Sequence, residues 1–274
     1  MTITTPVAAH DLKMTGLHLA YDGREVIADL DLQIPAGKIT VIVGPNACGK
    51  STLLKGIARL LKPSAGTVTL DGADIHGIPT KKLATLIGLL PQQPTAPEGI
   101  TVGDLVARGR YPHQGWFARQ SSSDDAVVSH ALESTGALEL AGRRVEELSG
   151  GQRQRVWIAM ALAQEPDILL LDEPTTFLDV THQVDVLDVL MDLNRTRATT
   201  IVMVLHDLNL AARYADHLVV MAAGKIVTEG SPEDVITVST VERAFGLESL
   251  VVADPVCGSP MVIPIGRFHG AGAS

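Results

Sequence analysis

Cysteine, aromatic residues and long apolar runs are all scarce in this chain of 274 residues. Its two cysteines, Cys48 and Cys257, are too few for the disulfide framework of a small secreted domain. Joining them would tether a glycine loop, so both are read as free thiols in a reducing cytoplasm. Aromatics make up only 3% of the residues against 46% apolar types overall, which leaves the core to aliphatic side chains. The longest apolar runs, such as TIVMVL at 200–205, fall far short of the roughly 20 residues a bilayer demands. Positive charge is in deficit, 22 Lys and Arg against 31 Asp and Glu for a net −9. A nucleic-acid surface normally shows as a basic patch and is not expected here. The opening residues MTITTPVAAH have neither a basic stretch nor an apolar one, so no secretory signal is expected. A soluble globular protein with a substantial core is what these absences leave.

Periodicity then divides the chain. Leu17, Leu19 and Tyr21 alternate with polar positions, as do Leu30, Leu32 and Ile34, and Val68 and Leu70. These are half-buried strands, with Asp22-Gly23, Pro35-Ala36-Gly37 and Asp71-Gly72 as turns. Four continuous apolar runs, at 39–43, 87–90, 168–171 and 200–205, read instead as parallel strands covered on both faces. Helical patterns follow Ser51, run from about Gln152 to Gln164, and place Val184, Leu187, Leu190 and Met191 on one face. That last pattern leaves Asp185, Asp188 and Asp192 on a solvated face. From about 94 to 149 the pattern is helical with no strong strand, and Ser123 before Asp124-Asp125 looks like a helix cap. Trp116 and Phe117 suit either the core of this insert or a contact with a partner. The end, FHGAGAS, is small and polar, and disorder is expected there.

Five segments carry chemistry. Gly44-Pro45-Asn46-Ala47-Cys48-Gly49-Lys50-Ser51 fits G-x-x-x-x-G-K-[ST] between an apolar strand and an apolar helix. Its glycines let backbone N–H groups curl around phosphate oxygens, and the helix start adds positive charge. Lys50 can reach the β- and γ-phosphates, and the Ser51 hydroxyl can meet Mg²⁺. Cys48 reads as a tolerated small side chain that makes the loop sensitive to bulky thiol reagents. Asp172 and Glu173 end an apolar strand, where such sheets bind ligands, so one can hold Mg²⁺ while the other faces a water. Leu148-Ser149-Gly150-Gly151-Gln152 opens a helix and offers a second anion site. His206 closes another buried strand, and Pro91-Gln92 closes the one at 87–90.

With these five in order, the sequence resembles the ATP-binding subunit of ABC transporters over about residues 12–265. The resemblance implies an α/β P-loop NTPase with a RecA-like core, an antiparallel β subdomain and an inserted α-helical signature subdomain. The expected ATPase domain is 11–246 with the insert at about 94–160. A short C-terminal extension follows at 247–267, then a disordered tail at 268–274. Tyr21 would stack on adenine, although a strand-face core aromatic is the plainer alternative. The loop from Gly44 to Thr52, Asn46 and Thr52 included, would hold the phosphates of ATP and its Mg²⁺. Gln92 would contact the metal and the water, Asp172 would order the metal, Glu173 would polarise the water, and His206 would touch the γ-phosphate. Asp179 matches a loop that crosses to a second copy, whose Ser149, Gly150, Gly151 and Gln152 would complete each ATP site in a homodimer.

Further segments are similar to those of ferric-siderophore and cobalamin-type importers, closest to ferric-enterobactin-like members. These are LVARGRYPHQ at 105–114, LSGGQRQR, DEPTTFLD and the tail ADPVCGSPMVIPIGR. The implied role is ATP hydrolysis that drives iron(III)–siderophore uptake from the cytoplasmic face of the membrane. Two permease subunits would be direct partners, with the Arg110–His113 region docking on them. An extracytoplasmic siderophore-binding protein would be an indirect partner, and nucleic acid would have no part. Heme, cobalamin or another chelate is the alternative cargo. A soluble non-transport ABC ATPase is a rival, but neither a long coiled coil nor a tandem ATPase domain is present to support it. An exporter subunit is a further alternative.

Overall fold

The computed structural model describes residues 7–114 and 122–266. Trp116, Phe117 and the tail 268–274 lie outside the described residues. The chain packs as two compact units, Met1–His10 with Ile75–Ile201 and Asp11–Asp74 with Val202–Ser274.

In the second of these, strands Leu12–Tyr21 and Arg24–Ile34 form a hairpin closed at Tyr21↔Arg24. Asp22 (φ 48°) and Gly23 (φ 80°) both adopt the left-handed conformation of a two-residue type I′ turn, as Asp-Gly predicts. Asp71 and Gly72 repeat the device between Ala65–Leu70 and Ala73–Asp74. The antiparallel sheet carries Leu12, Met14, Leu17 and Leu19 inward with no exposure. Strand Ile39–Val43 is buried at every position, as its unbroken apolar run requires. It pairs in parallel with His217–Ala222, which pairs antiparallel with Lys225–Gly230. A hairpin of Ser249–Ala253 and Pro260–Pro264 is held by Asn209, whose side chain bonds both the N–H and the carbonyl of Val262. Arg213 adds an ion pair to Asp254 at 2.7 Å.

In the other unit, strand Ile87–Leu90 lies parallel to Ile168–Asp172 in unbroken register from Ile87↔Ile168 to Leu90↔Leu171. Helices Val102–Ala107, Ser122–Ser134 and Gly150–Ala163 follow one another between those strands. The described residues of this stretch hold no strand, only a bridge between Thr101 and Arg144. Ser123 lies within helix Ser122–Ser134, with Asp124 and Asp125 in its first turn. Helix Val180–Arg197 buries Val186, Leu187 and Leu190 and exposes Asp185, Asp188 and Asp192.

Arg110 sits within the insert at 8% exposure. Its guanidinium donates to Asp124 at 3.0 Å, to the Ala163 carbonyl at 2.8 Å and to Glu165 at 2.9 Å. Arg197 reaches the other oxygen of Glu165 at 3.0 Å. His113 is exposed, and its ring Nε2 lies 2.6 Å from the Gln164 carbonyl oxygen. Both side chains thus bond within their own unit. Tyr111 between them is exposed as well.

The architecture is the expected class, a P-loop core with an antiparallel β subdomain and a helical insert. Cys48 and Cys257 are free thiols. No helix among the described residues is long and apolar enough to cross a membrane.

Candidate functional site

The glycine loop leaves strand Ile39–Val43 and enters helix Lys50–Ile57. Gly44 has φ 157°, and a Cβ there would lie 2.1 Å from the Met221 carbonyl oxygen and 2.8 Å from Cys48 Sγ. Only glycine fits. Gly49 caps the helix at φ 107°, and Ala47 is left-handed at φ 60°. The backbone therefore curls tightly, and the Cys48 carbonyl is held by the Gly224 N–H at 3.0 Å. Lys50, 5% exposed, lays its ammonium on the Gly44 and Pro45 carbonyls at 2.8 and 2.9 Å. The loop thus wraps a positive charge beside the positive end of a helix, a preformed place for an anion. Burial pushes the Cys48 thiol above its ordinary range, and the nearby Lys50 charge opposes this only in part.

Tyr21 ends its strand with 41% of its surface exposed, and Lys55 Nζ lies 5.9 Å from the ring centroid. It is not a core aromatic. His206 follows the buried strand Thr200–Val204 and is exposed, while Asp207 caps the next helix through the N–H groups of Asn209 and Leu210.

In the other unit, strand register does the positioning. Extending the Leu90↔Leu171 pairing by two residues sets Gln92 opposite Glu173. Gln92 Nε2 donates to Glu173 Oε2 at 2.7 Å. Asp172, 3% exposed, ends its strand beside them. Glu173 itself is left-handed at φ 55°, a conformation a non-glycine residue adopts at a cost of order 1–3 kcal/mol. The turn that follows is clamped. Thr176 N–H donates to the Glu173 carbonyl at 3.2 Å, and its hydroxyl donates to Glu173 Oε2 at 3.1 Å. Gln154, from the helix that LSGGQ opens, donates to the Pro174 carbonyl at 2.9 Å.

Ser149 caps helix Gly150–Ala163 in a reciprocal pattern. Its hydroxyl accepts from the Gln152 N–H at 3.2 Å, and Gln152 Oε1 accepts from the Ser149 N–H at 3.1 Å. Gly150 and Gly151 form the first turn of that helix. A Cβ on Gly151 would stand 3.4 Å from Leu178. Asp179 caps helix Val180–Arg197, and its Oδ1 lies 3.0 Å from the His182 N–H and 2.7 Å from His182 Nδ1. Those contacts, the backbone one foremost, hold the Asp179 carboxyl below its usual range.

Within its own unit, each group of expected residues is assembled. The loop 44–52 gathers around Lys50, and Gln92, Asp172 and Glu173 gather at two strand ends. Sequence reasoning did not single out Thr176, Gln154 or His182. A hydroxyl three residues after Glu173 is a turn signal that could have pointed to Thr176. No cluster of three or more His, Cys, Asp or Glu able to hold a metal occurs among the described residues. One buried carboxylate is nevertheless a donor set that suits Mg²⁺, which keeps its waters and leans on substrate phosphates rather than on a protein cage.

These features define the class as a P-loop ATPase. The sequence profile described as ABC transporter matches residues 27–176, and the chain belongs to that family. It is 53% identical over 251 residues to the achromobactin transport ATP-binding protein CbrD of Dickeya dadantii, covering 92% of this chain and 93% of the relative. It is 51% identical over 251 residues to the ferric enterobactin transport ATP-binding protein FepC of Escherichia coli, again 92% and 93%. The dimeric structure of the bacterial ABC transporter cassette MJ0796 superposes with a TM-score of 0.73. That match has 28% identity and covers 80% of this chain and 98% of the cassette.

Proposed function

We propose that this chain binds and hydrolyses ATP to energise uptake of iron(III)–siderophore complexes across the cytoplasmic membrane. The observation that carries the hydrolysis is Glu173 at the end of a buried strand, adjoining Asp172 and held by Gln92. The relatives that transport achromobactin and ferric enterobactin support the iron chelate as cargo. The ATPase domain would span 11–246, with the helical insert at about 94–160 and a C-terminal extension at 247–267.

Phosphoryl transfer asks a protein mainly for positioning and neutralised charge. Tyr21 would offer its exposed ring to the adenine. The N–H groups from Asn46 to Thr52 would bind phosphate oxygens, and Lys50 would turn its ammonium from loop carbonyls to the γ-phosphate. Asp172, Ser51 and Gln92 would hold Mg²⁺, which when bound neutralises phosphate charge. Glu173 would take the proton of the attacking water, and His206 would orient the γ-phosphate. Ser149, Gly150, Gly151 and Gln152 of a second copy would close on the nucleotide, with Asp179 at the crossing. Two permease subunits would dock the dimer at the cytoplasmic face of the membrane and receive chelate from an external binding protein.

Glu173→Gln tests the centre of this reading. It should retain ATP binding, trap a closed dimer on gel filtration and lose at least a hundredfold in turnover, as expected when a catalytic base is removed. Robust hydrolysis by this variant would remove Glu173 from that role. The cargo is checked by uptake of radiolabelled iron chelates in a deletion strain, where uptake indifferent to the loss of the chain would sink the siderophore assignment.

A further inference from the structure

Resting on the assignment of Glu173 as the base, we propose that Thr176 is a positioning residue for the Glu173 carboxylate. Its hydroxyl holds the same oxygen that Gln92 holds. The two donors approach Oε2 from different parts of the chain, Thr176 at 3.1 Å and Gln92 at 2.7 Å. A carboxylate gripped twice on one oxygen cannot swing without losing both bonds. Its second oxygen is thereby aimed.

The two donors differ in what it takes to place them. Gln92 extends a long side chain, exposed at the contact, and loses rotamer freedom to keep it there. Thr176 lies three residues from Glu173 with a β-branched side chain that is stiff at χ1. The turn that presents it is fixed on both sides. Its own N–H bonds the Glu173 carbonyl at 3.2 Å, Gln154 holds Pro174 at 2.9 Å, and Gln183 Nε2 holds the Leu178 carbonyl at 3.0 Å. Thr176 is thus a pre-placed donor. It keeps the carboxylate in position when Gln92 leaves to meet metal or water.

The hydroxyl is also separable from the fold. Exchanging it for a methyl keeps side-chain volume and branching, and the backbone bond from Thr176 to Glu173 remains. The full chain carrying Thr176→Val should turn over ATP roughly tenfold more slowly, the loss expected for one hydrogen bond to a charged group. Its KM for ATP with Mg²⁺ and its Tm should match wild type. Thr176→Ser, which restores the hydroxyl, should recover kcat to within about twofold. A kcat for Thr176→Val within twofold of wild type would overturn the proposal. So would a loss that tracks a fallen Tm or a raised KM and is not rescued by serine. Glu173→Gln, assayed alongside, separates the two levels. If it is inactive while Thr176→Val is normal, only the positioning role falls; if it hydrolyses ATP, the assignment beneath it falls.

Discussion

Replacing Arg110 with methionine tests whether the insert is held by a buried charge network. Methionine keeps much of the length and volume of the arginine stem but removes every donor. Arg110 and Asp124 each keep only about a tenth of their side-chain surface in solvent, and they meet at 3.0 Å. Glu165 is one-third exposed and shares Arg197, so water and Arg197 compensate that half of the network. Removing one partner of a buried pair costs about 3–5 kcal/mol because the other charge stays desolvated. With the Glu165 part discounted, about 3 kcal/mol remains for Arg110→Met. At about 2–4 °C per kcal/mol this lowers Tm by about 6–12 °C. Scanning calorimetry and urea titration would read the loss, and Arg110→Met with Asp124→Asn should recover a good part of it. Nucleotide affinity should hold within about threefold, since the bonds of Arg110 go to Asp124, Ala163 and Glu165 and to no expected nucleotide-binding residue. A loss under 1 kcal/mol, or an affinity that falls while Tm stays put, would refute the argument.

Lys50→Ala should weaken ATP binding by tenfold or more in titration calorimetry, because the buried cation proposed to meet the γ-phosphate is gone. An unchanged dissociation constant would count against the loop assignment. Maleimide labelling followed by intact mass should modify exposed Cys257 first and buried Cys48 slowly at pH 7. Because burial raises the Cys48 thiol, its thiolate fraction and labelling rate should climb as pH rises toward 9, and ATP should protect it. Equal rates at pH 7 would contradict this.

The chain announced its strands and its phosphate loop because both rest on local rules. Unbroken apolar runs mark the doubly covered strands Ile39–Val43 and Ile168–Asp172, and Asp-Gly pairs mark turns that prove to be type I′. The burial of Arg110 is hidden in the sequence for the opposite reason. Flanked by Arg108, Gly109 and Tyr111, it carries no local mark of burial, and its partners Asp124 and Glu165 lie 14 and 55 residues away. Thr176 and Gln154 escaped notice because their roles depend on a left-handed turn at Glu173 that no periodicity signals. The hairpin of His217–Ala222 and Lys225–Gly230 is harder to read, although Ala223 and Gly224 turn between its strands as the Asp-Gly pairs do. An Ala-Gly pair lacks the side chain that marks such a turn.

The pairing of Gln92 with Glu173 is set by four strand partners, and residues 93–167 loop out between them. Any change of length within that loop leaves the offset untouched, so long as Ile87–Leu90 still lies beside Ile168–Asp172. Helix Gly150–Ala163 clamps the turn after Glu173 through Gln154, but that spacing and the helices Val102–Ala107 and Ser122–Ser134 are separate modules on one chain. Helices suited to a different membrane partner could be exchanged there, and the hydrolytic strand ends would keep their alignment.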